Sequence, residues 1–327
     1  MKTIERLGQI EYMGEAAHRL LSSQLRGKVL AVVSHAAYLL NENGDLFWLA
    51  MRNIPMHRRS IRLSEPFPRL SVEAPFSVSD HHLIIGSKTA LDFGQACIWE
   101  PPRFSPDSAL PVADLPRRLG EVASILKDLP APGGFGSLIP EILMIAFGQN
   151  ASNPQPIPAG IPGHARPAVR EIATACLARD WQRIMEQAYF LAGLGEGLTP
   201  SGDDFIGGLL FCAKSLQRSY ADIVILEFPS LADFIENLKA STHIISHTLL
   251  KDHAEGCAVD TLHQFANAFL TGQPIDHLRQ IALGLVQIGH STGWDILTGF
   301  LVGLLLAFPD YLCIQRSYWI PTGHERN

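Results

Sequence analysis

Acidic, hydroxyl and glycine residues crowd into one stretch, GLGEGLTPSGDDFIGG, which runs from Gly193 to Gly208 ahead of an apolar run. A simple turn needs one or two such residues. Thr199-Pro200-Ser201-Gly202-Asp203-Asp204 reads as a helix start. Thr199 or Ser201 is the expected cap, and both aspartates fall in the first turn, beside the unsatisfied N–H groups and the positive end of the helix dipole. Upstream, Gly193, Gly195 and Gly197 suit a backbone bent closely around a ligand, as in glycine loops that aim N–H groups at an anion. A tight helix–helix connection is the plainer reading of the same residues. The stretch is not a Walker A motif, because no Gly-Lys-Ser/Thr follows, and it lacks the strand–turn–helix setting of a dinucleotide fingerprint.

A second stretch repeats the pattern. TGWDILTGFL (Thr292 to Leu301) lines up with SGDDFIGGLL (Ser201 to Leu210), matching hydroxyl to hydroxyl, Gly293 to Gly202, Asp295 to Asp204 and Gly299 to Gly208. If the two helix starts meet, Asp204 and Asp295 converge with Thr199, Ser201, Ser291 and Thr292 at the mouth of one pocket. Such a pocket offers N–H donors to an anion, and carboxylates to a cation, an amide or a transferable proton. Two carboxylates suit Mg²⁺ beside a phosphate, and one alone suits a general base toward an amine. The neighbouring IGHSTGWD adds His290 as a proton donor and Trp294 as an aromatic wall, against the plainer readings of a satisfied histidine and a packed indole.

In STHIISHTLLKDH, His243 and His247 stand at i and i+4 on one helix face, which is metal-ligand spacing without the glutamate of a zinc-protease motif. Thr242 and Ser246 form a polar pair at the same spacing, either lining the pocket or bonding back to the preceding turn. The candidate catalytic groups are thus Asp203, Asp204, Asp295 and His290. The candidate substrate-binding groups are Gly193, Gly195, Gly197, Thr199, Ser201, Gly202, Thr242, Ser246, Ser291, Thr292 and Gly293. The spacing fixes no metal set.

These residues need elements to position them. Up to about residue 100, β-branched and aromatic runs such as KVLAVVSHAAYLL, LFWLAM and FSVSDHHLIIGS are punctuated by Asn, Gly and Pro, with NENGD as a turn. The proline-dense WEPPRFSPDSALPVADLP then marks a boundary. Beyond it, apolar residues recur at helical spacing through most of the chain. The expected fold class is α+β: a β-rich N-terminal domain over residues 1–115, then a mostly α-helical domain over 116–327 that carries the glycine loop. One segment, GQNASNPQPIPAGIPGHARP, reads as irregular, either a mobile lid or a tethered surface loop.

Composition bounds the function classes. With 327 residues and 47% hydrophobic content the chain is long enough for two cores. A net charge of −6 with interspersed signs leaves no basic face for nucleic acid or an anionic membrane surface. The five cysteines are scattered and never form a C-x-x-C pair, so they read as reduced thiols and point to a cytoplasmic location. The N-terminus lacks the apolar core of a signal peptide, and the longest apolar run, Ile296 to Phe308, is too short to span a bilayer comfortably. No nucleophile elbow in a strand–turn–helix setting appears, so acyl-enzyme chemistry is not indicated.

GLGEGLTPSGDD, followed by THIISHTLL and IGHSTGWDILTGFLVG, resembles a bacterial family that includes the AllH-type subunit of the oxamate carbamoyltransferase of anaerobic allantoin breakdown. The resemblance covers mainly residues 190–305. It implies work alongside companion subunits, on carbamoyl phosphate plus oxamate giving oxalurate plus phosphate. Transferred here, it places Gly193–Asp204 and Ser291–Asp295 nearest the chemistry, and it implies a small anionic metabolite as ligand. The Ser-Thr-Arg-Thr signature of ordinary carbamoyltransferases is missing, so any such activity uses a different site architecture. A non-catalytic subunit and a metal-dependent hydrolase are the competing readings.

Overall fold

The computed structural model describes residues 6–64, 67–102, 105–149, 158–225 and 228–308. The chain forms two compact units, Met1–Arg103 with Cys257–His263, and Phe104–Gly256 with Gln264–Asn327.

In the first unit, β1 (Arg6–Gly14) is followed by a short helix α1 (Glu15–Leu21) and then β2 (Arg26–Val32), β3 (Ala36–Asn41), β4 (Leu46–Ala50) and β5 (Ser60–Leu63). Four further strands follow: β6 (Pro75–Ser79), β7 (His82–Ile85), β8 (Thr89–Asp92) and β9 (Cys97–Trp99). The strand order is β5-β4-β3-β2-β6-β7-β8-β1, and antiparallel pairing of β1 with β5 closes it into a barrel-like ring. The strand β9 pairs with the end of β1, at Tyr12 to Gly14. Inward residues such as Met13, Val29, Leu39, Phe47, Ile61 and Leu83 fill the interior, the alternation expected of a sheet with one wet face.

The turns follow local chemistry. Asn41 Oδ1 accepts from the N–H groups of Asn43 and Asp45, fixing NENGD as the β3–β4 turn. The β6–β7 turn places Asp80 and His81 at positive φ, which a two-residue hairpin of this twist demands. Ser34 and His35 sit between β2 and β3, so the apolar run that holds them is a hairpin and not one strand.

The second unit is helical: α2 (Leu115–Leu126), α3 (Ile139–Ala146), α4 (Ile161–Ala178), α5 (Trp181–Leu191) and α6 (Ser201–Ser219). After these come α7 (Phe228–Leu238), α8 (Ile244–Ala254), α9 (Asp260–Leu270), whose start through His263 belongs to the first unit, α10 (Ile275–Val286) and α11 (Thr292–Gly303). A 3₁₀ turn, Gly134–Leu138, precedes α3, and another, Leu304–Ala307, continues α11.

Three helix limits differ from the sequence pattern. Helix α4 starts at Ile161, inside the proline-rich segment read as irregular: Gly160 turns the chain at φ 68° and Pro162 falls in the first turn, where no N–H is needed. Residues 150–157 of that segment lie outside the described residues. The long run after Ala165 breaks at Arg179, φ 54°, and α5 restarts with the Asp180 carboxylate accepting from Arg183 N–H. The run that holds His243 and His247 breaks as well, between α7 and α8.

Helices α6 and α11 are the buried centre of this unit, apolar on nearly all sides as a fully enclosed helix must be. Phe300 of α11 packs among Phe211, Phe265 and Phe269. Their backbones touch through glycine. A Cβ on Gly208 would overlap the carbonyl oxygen of Ile296, and a Cβ on Gly299 would overlap that of Phe205. Among the described residues no helix is long and apolar enough to cross a membrane.

This contact generates a test. Gly208→Ala or Gly299→Ala should lower stability by about 3 kcal/mol or more, because backbone has to move to admit the methyl group. Gly120→Ala, on the exposed side of α2 with only Phe147 within reach, should instead raise it by about 0.5–1 kcal/mol. Denaturant unfolding of the three variants checks both directions. Tolerance at Gly208 and Gly299 equal to that at Gly120 would mean that the helices are not in backbone contact.

Candidate active site at two paired helix starts

The two motifs form the same local structure twice. A Cβ on Gly202 would overlap the carbonyl oxygen of Leu191, at the end of α5, and a Cβ on Gly293 would overlap that of Leu285, in the last turn of α10. Each start is therefore folded tightly against the helix before it. Gly202 N–H donates to Leu194 O at 2.9 Å, and Gly293 N–H donates to Ile288 O at 3.0 Å. Neither start has a side-chain cap. Pro200 and Ser291 occupy the cap positions, and their carbonyls accept from Asp204 and Asp295 N–H. The expectation of Thr199 or Ser201 as cap is thus corrected: Ser201 is already the first helical residue, and the Thr199 hydroxyl turns to a carboxyl.

The starts meet. Ser201 Oγ and Ser291 Oγ are 3.4 Å apart. Behind them lie Asp204 and Asp295, 5% and 0% exposed. The hydroxyls are exchanged crosswise: Asp204 interacts with Thr199 of its own start and Thr292 of the other, and Asp295 with Ser291 of its own start and Ser201 of the other. Asp295 Oδ1 also accepts from Phe135 N–H at 2.6 Å. The Oδ2 atom of each of these two carboxyls has no hydrogen-bond partner.

Asp203 has a different place. Its Oδ1 accepts from Gly193 N–H at 2.8 Å and its Oδ2 from the Thr242 hydroxyl, so both oxygens are engaged in tying the loop to the segment before α8. Gly193, Gly195 and Gly197 all take positive φ, at 73°, 133° and 95°. At Gly193 a side chain would also overlap Ser241 O, and at Gly195 it would come 2.6 Å from Ser201 N. The tip of the loop, Glu196 and Gly197, is exposed.

Other expected residues lie elsewhere. His290 is exposed, with its carbonyl oxygen facing Gly133, and Trp294 is buried against Gly136, a packed indole. His243 is the cap residue of α8 and not part of the helix, so it does not share a helix face with His247. The His247 Nε2–H donates to Ile235 O at 3.0 Å, and burial, with Lys251, holds its imidazole below the usual value, which favours the neutral ring. That nitrogen is therefore engaged by a carbonyl. Among the described residues no group of three or more His, Cys, Asp or Glu side chains is placed to hold a metal ion. Thr242 precedes α8, whereas Ser246 lies within it, 2% exposed with an unpartnered Oγ.

The sequence reading missed Gly133-Gly134-Phe135. Gly134, at φ 49°, leaves no room for a side chain beside Asp295, and Phe135 supplies the N–H that Asp295 accepts. The glycine cluster in PGGFGS was the available cue. A cavity of about 530 Å³ is lined instead by α6, α7 and α8 residues, among them Lys214, Leu231, Ile235 and Lys251. None of the carboxyl or hydroxyl groups above lines it.

Burial, followed by repulsion from Asp295, holds the Asp204 carboxyl well above the usual carboxylate range, against the opposing pull of the Thr292 and Thr199 hydroxyls. Burial also raises Asp295, against Phe135 N–H and the Ser201 and Ser291 hydroxyls. Folding thus favours the protonated forms. That contribution is fully present below the unfolded carboxylate value of about 4 and is lost as pH rises through the folded values. Asp204→Asn removes the penalty of ionisation at this site, so its unfolding midpoint relative to wild type should rise progressively as pH climbs from about 4. A difference that is flat with pH, followed by calorimetry, would mean that Asp204 is not held in its neutral form.

No curated protein and no solved structure matches the chain. Residues 191–304, from the end of α5 through both helix starts to the turn after α11, match the model of the family described as oxamate carbamoyltransferase subunit AllH, and over that segment the family resemblance of the two motifs is shown.

Proposed function

We propose that this chain is a subunit of a carbamoyl-transferring enzyme of the oxamate carbamoyltransferase type, and that Asp204 and Asp295 manage the protons of the transfer. The supporting observation is the convergence of two equivalent helix starts on one buried carboxyl pair, inside the segment that matches the AllH family.

The reaction needs few groups. The amide nitrogen of the acceptor forms a bond to the carbamoyl carbon, the bond from that carbon to the phosphate oxygen breaks, and phosphate leaves with the electron pair. The nitrogen loses a proton in the process. Two carboxyls close together in a low-dielectric site share one proton more readily than they carry two charges. The ionised member accepts the proton from nitrogen, and the protonated member gives its own to the departing phosphate. The glycine-bent loop around Glu196 and Gly197 is the place for the phosphate, through backbone N–H groups. Asp203, with both oxygens engaged, holds that loop in position. Asp204 and Asp295 would be the residues to hold Mg²⁺, which would supply positive charge to a phosphate; that use needs both carboxyls ionised, which burial opposes.

A second reading has its own observation. Asp203 and Asp295 each accept a loop N–H, which is what carboxylates do in a non-catalytic scaffold that presents a surface to companion subunits.

The assay is phosphate release from carbamoyl phosphate and oxamate by the chain assembled with its companion subunits. Asp204→Asn should lower kcat at least about a hundredfold, the scale of a lost acid–base group, with assembly intact. Asp295→Asn, which keeps an oxygen for Phe135 N–H, should do the same. Wild-type turnover in both variants disposes of the catalytic role and leaves the scaffold.

A further inference from the structure

The hydrogen-bond inventory around the two carboxyls is one-sided. Six backbone donors around the pair are committed within the chain: Gly202 N–H to Leu194 O, Asp203 and Asp204 N–H to Pro200 O, Gly293 N–H to Ile288 O, Asp295 N–H to Ser291 O and Phe135 N–H to Asp295 Oδ1. The unsatisfied atoms are acceptors. Asp204 Oδ2 and Asp295 Oδ2 are both deeply buried with no partner, and an orphaned buried carboxyl oxygen is costly unless something donates to it.

We infer that the Asp204–Asp295 pair is the seat of a primary amide or ureido –NH₂ group, so that this chain binds the nitrogen end of the acceptor and not its acid end. Resting as it does on the reading of this site as the reaction centre, the inference adds which chemical group enters. A primary amide has N–H donors for the orphaned oxygen of the ionised carboxyl and a carbonyl oxygen that accepts from the protonated one. Thr199, Ser291 and Thr292, which are half-buried, and Ser201 already hydrogen-bond the two carboxyls, so the Oδ2 atoms are what they leave for a ligand. A second carboxylate or a phosphate in this position would set an anion against the ionised carboxyl and bring it no N–H. A neutral donor fits, because burial and mutual repulsion already disfavour two charges on the pair.

The experiment is calorimetric titration of the full chain with oxamate, oxalate, N,N-dimethyloxamate and inorganic phosphate. Oxalate matches oxamate in size and replaces its –NH₂ by oxygen, and the dimethyl compound has no N–H. Oxamate should bind at least about a hundredfold more tightly than either, as expected of a site built to accept a hydrogen bond. Asp204→Asn, which turns a donor toward a donor, should erase that preference. Equal binding of oxalate or N,N-dimethyloxamate by the wild type overturns the inference without recourse to any variant, as does phosphate competing with oxamate. Oxamate preference that survives Asp204→Asn, in a variant whose complex has lost turnover, overturns the amide seat and leaves the catalytic reading standing. Preference lost while turnover persists supports the seat and removes the catalytic assignment.

Discussion

The close approach of α6 and α11 governs everything else in the helical unit. Gly208 lies on the carbonyl of Ile296 and Gly299 on that of Phe205, and under the motif alignment Phe205 and Ile296 are the same position. The contact is therefore reciprocal, and it holds the two helices at equal height. Gly202 and Gly293 repeat the device six residues earlier, each locking its helix against the end of the one before. With height and direction both fixed, two carboxyls four residues before the crossing glycines cannot avoid each other. Proximity of Asp204 to Asp295 is a consequence of backbone packing, not of any attraction between acids, which would repel.

The equivalence stops at the rims. The chain takes more residues between Leu191 and Gly202 than between Leu285 and Gly293, and the extra length is the glycine loop. Asp203 has Trp294 at its matched position, and the two do unlike things: one ties the loop to Thr242, the other packs on Gly136. The result is a paired core with a distinct loop on each side, one around Glu196 and one around Gly134. A site that must hold two different groups needs this kind of inequality, since a strictly two-fold site would present the same face to both.

Much of this was legible in the sequence because it is local. Glycine and aspartate at matched spacing exposed the paired starts, and Asn-Glu-Asn-Gly-Asp exposed a turn, since both depend on residues within a few positions of each other. What stayed hidden depends on contacts distant in sequence. The pairing of β1 with β5 that closes the ring leaves no periodic trace, nor does the docking of Phe135 N–H on Asp295. The capping assignment failed for a more specific reason: Ser201 is pulled into the helix by the contact of Gly202 with Leu191, so its hydroxyl points across to Ser291. His243 and His247 were separated by a helix break that apolar spacing alone does not mark, because Leu238 and Ile245 continue the pattern through it.

The carboxyls are more than the fold requires. Tying down the Phe135 N–H takes one oxygen, which an asparagine supplies, and the crossing of α6 and α11 is made by glycine with no acid involved. Asp203 shows what a structural carboxylate looks like in this unit: both oxygens have donors. Asp204 and Asp295 each leave one oxygen unpartnered in a place where ionisation is opposed by burial, and that arrangement lowers stability at neutral pH. Local features that work against stability and satisfy no packing need concentrate where a chain binds or reacts. By that reasoning, and on the function proposed above, the second oxygen of each acid is there for a group that the folded chain does not itself contain.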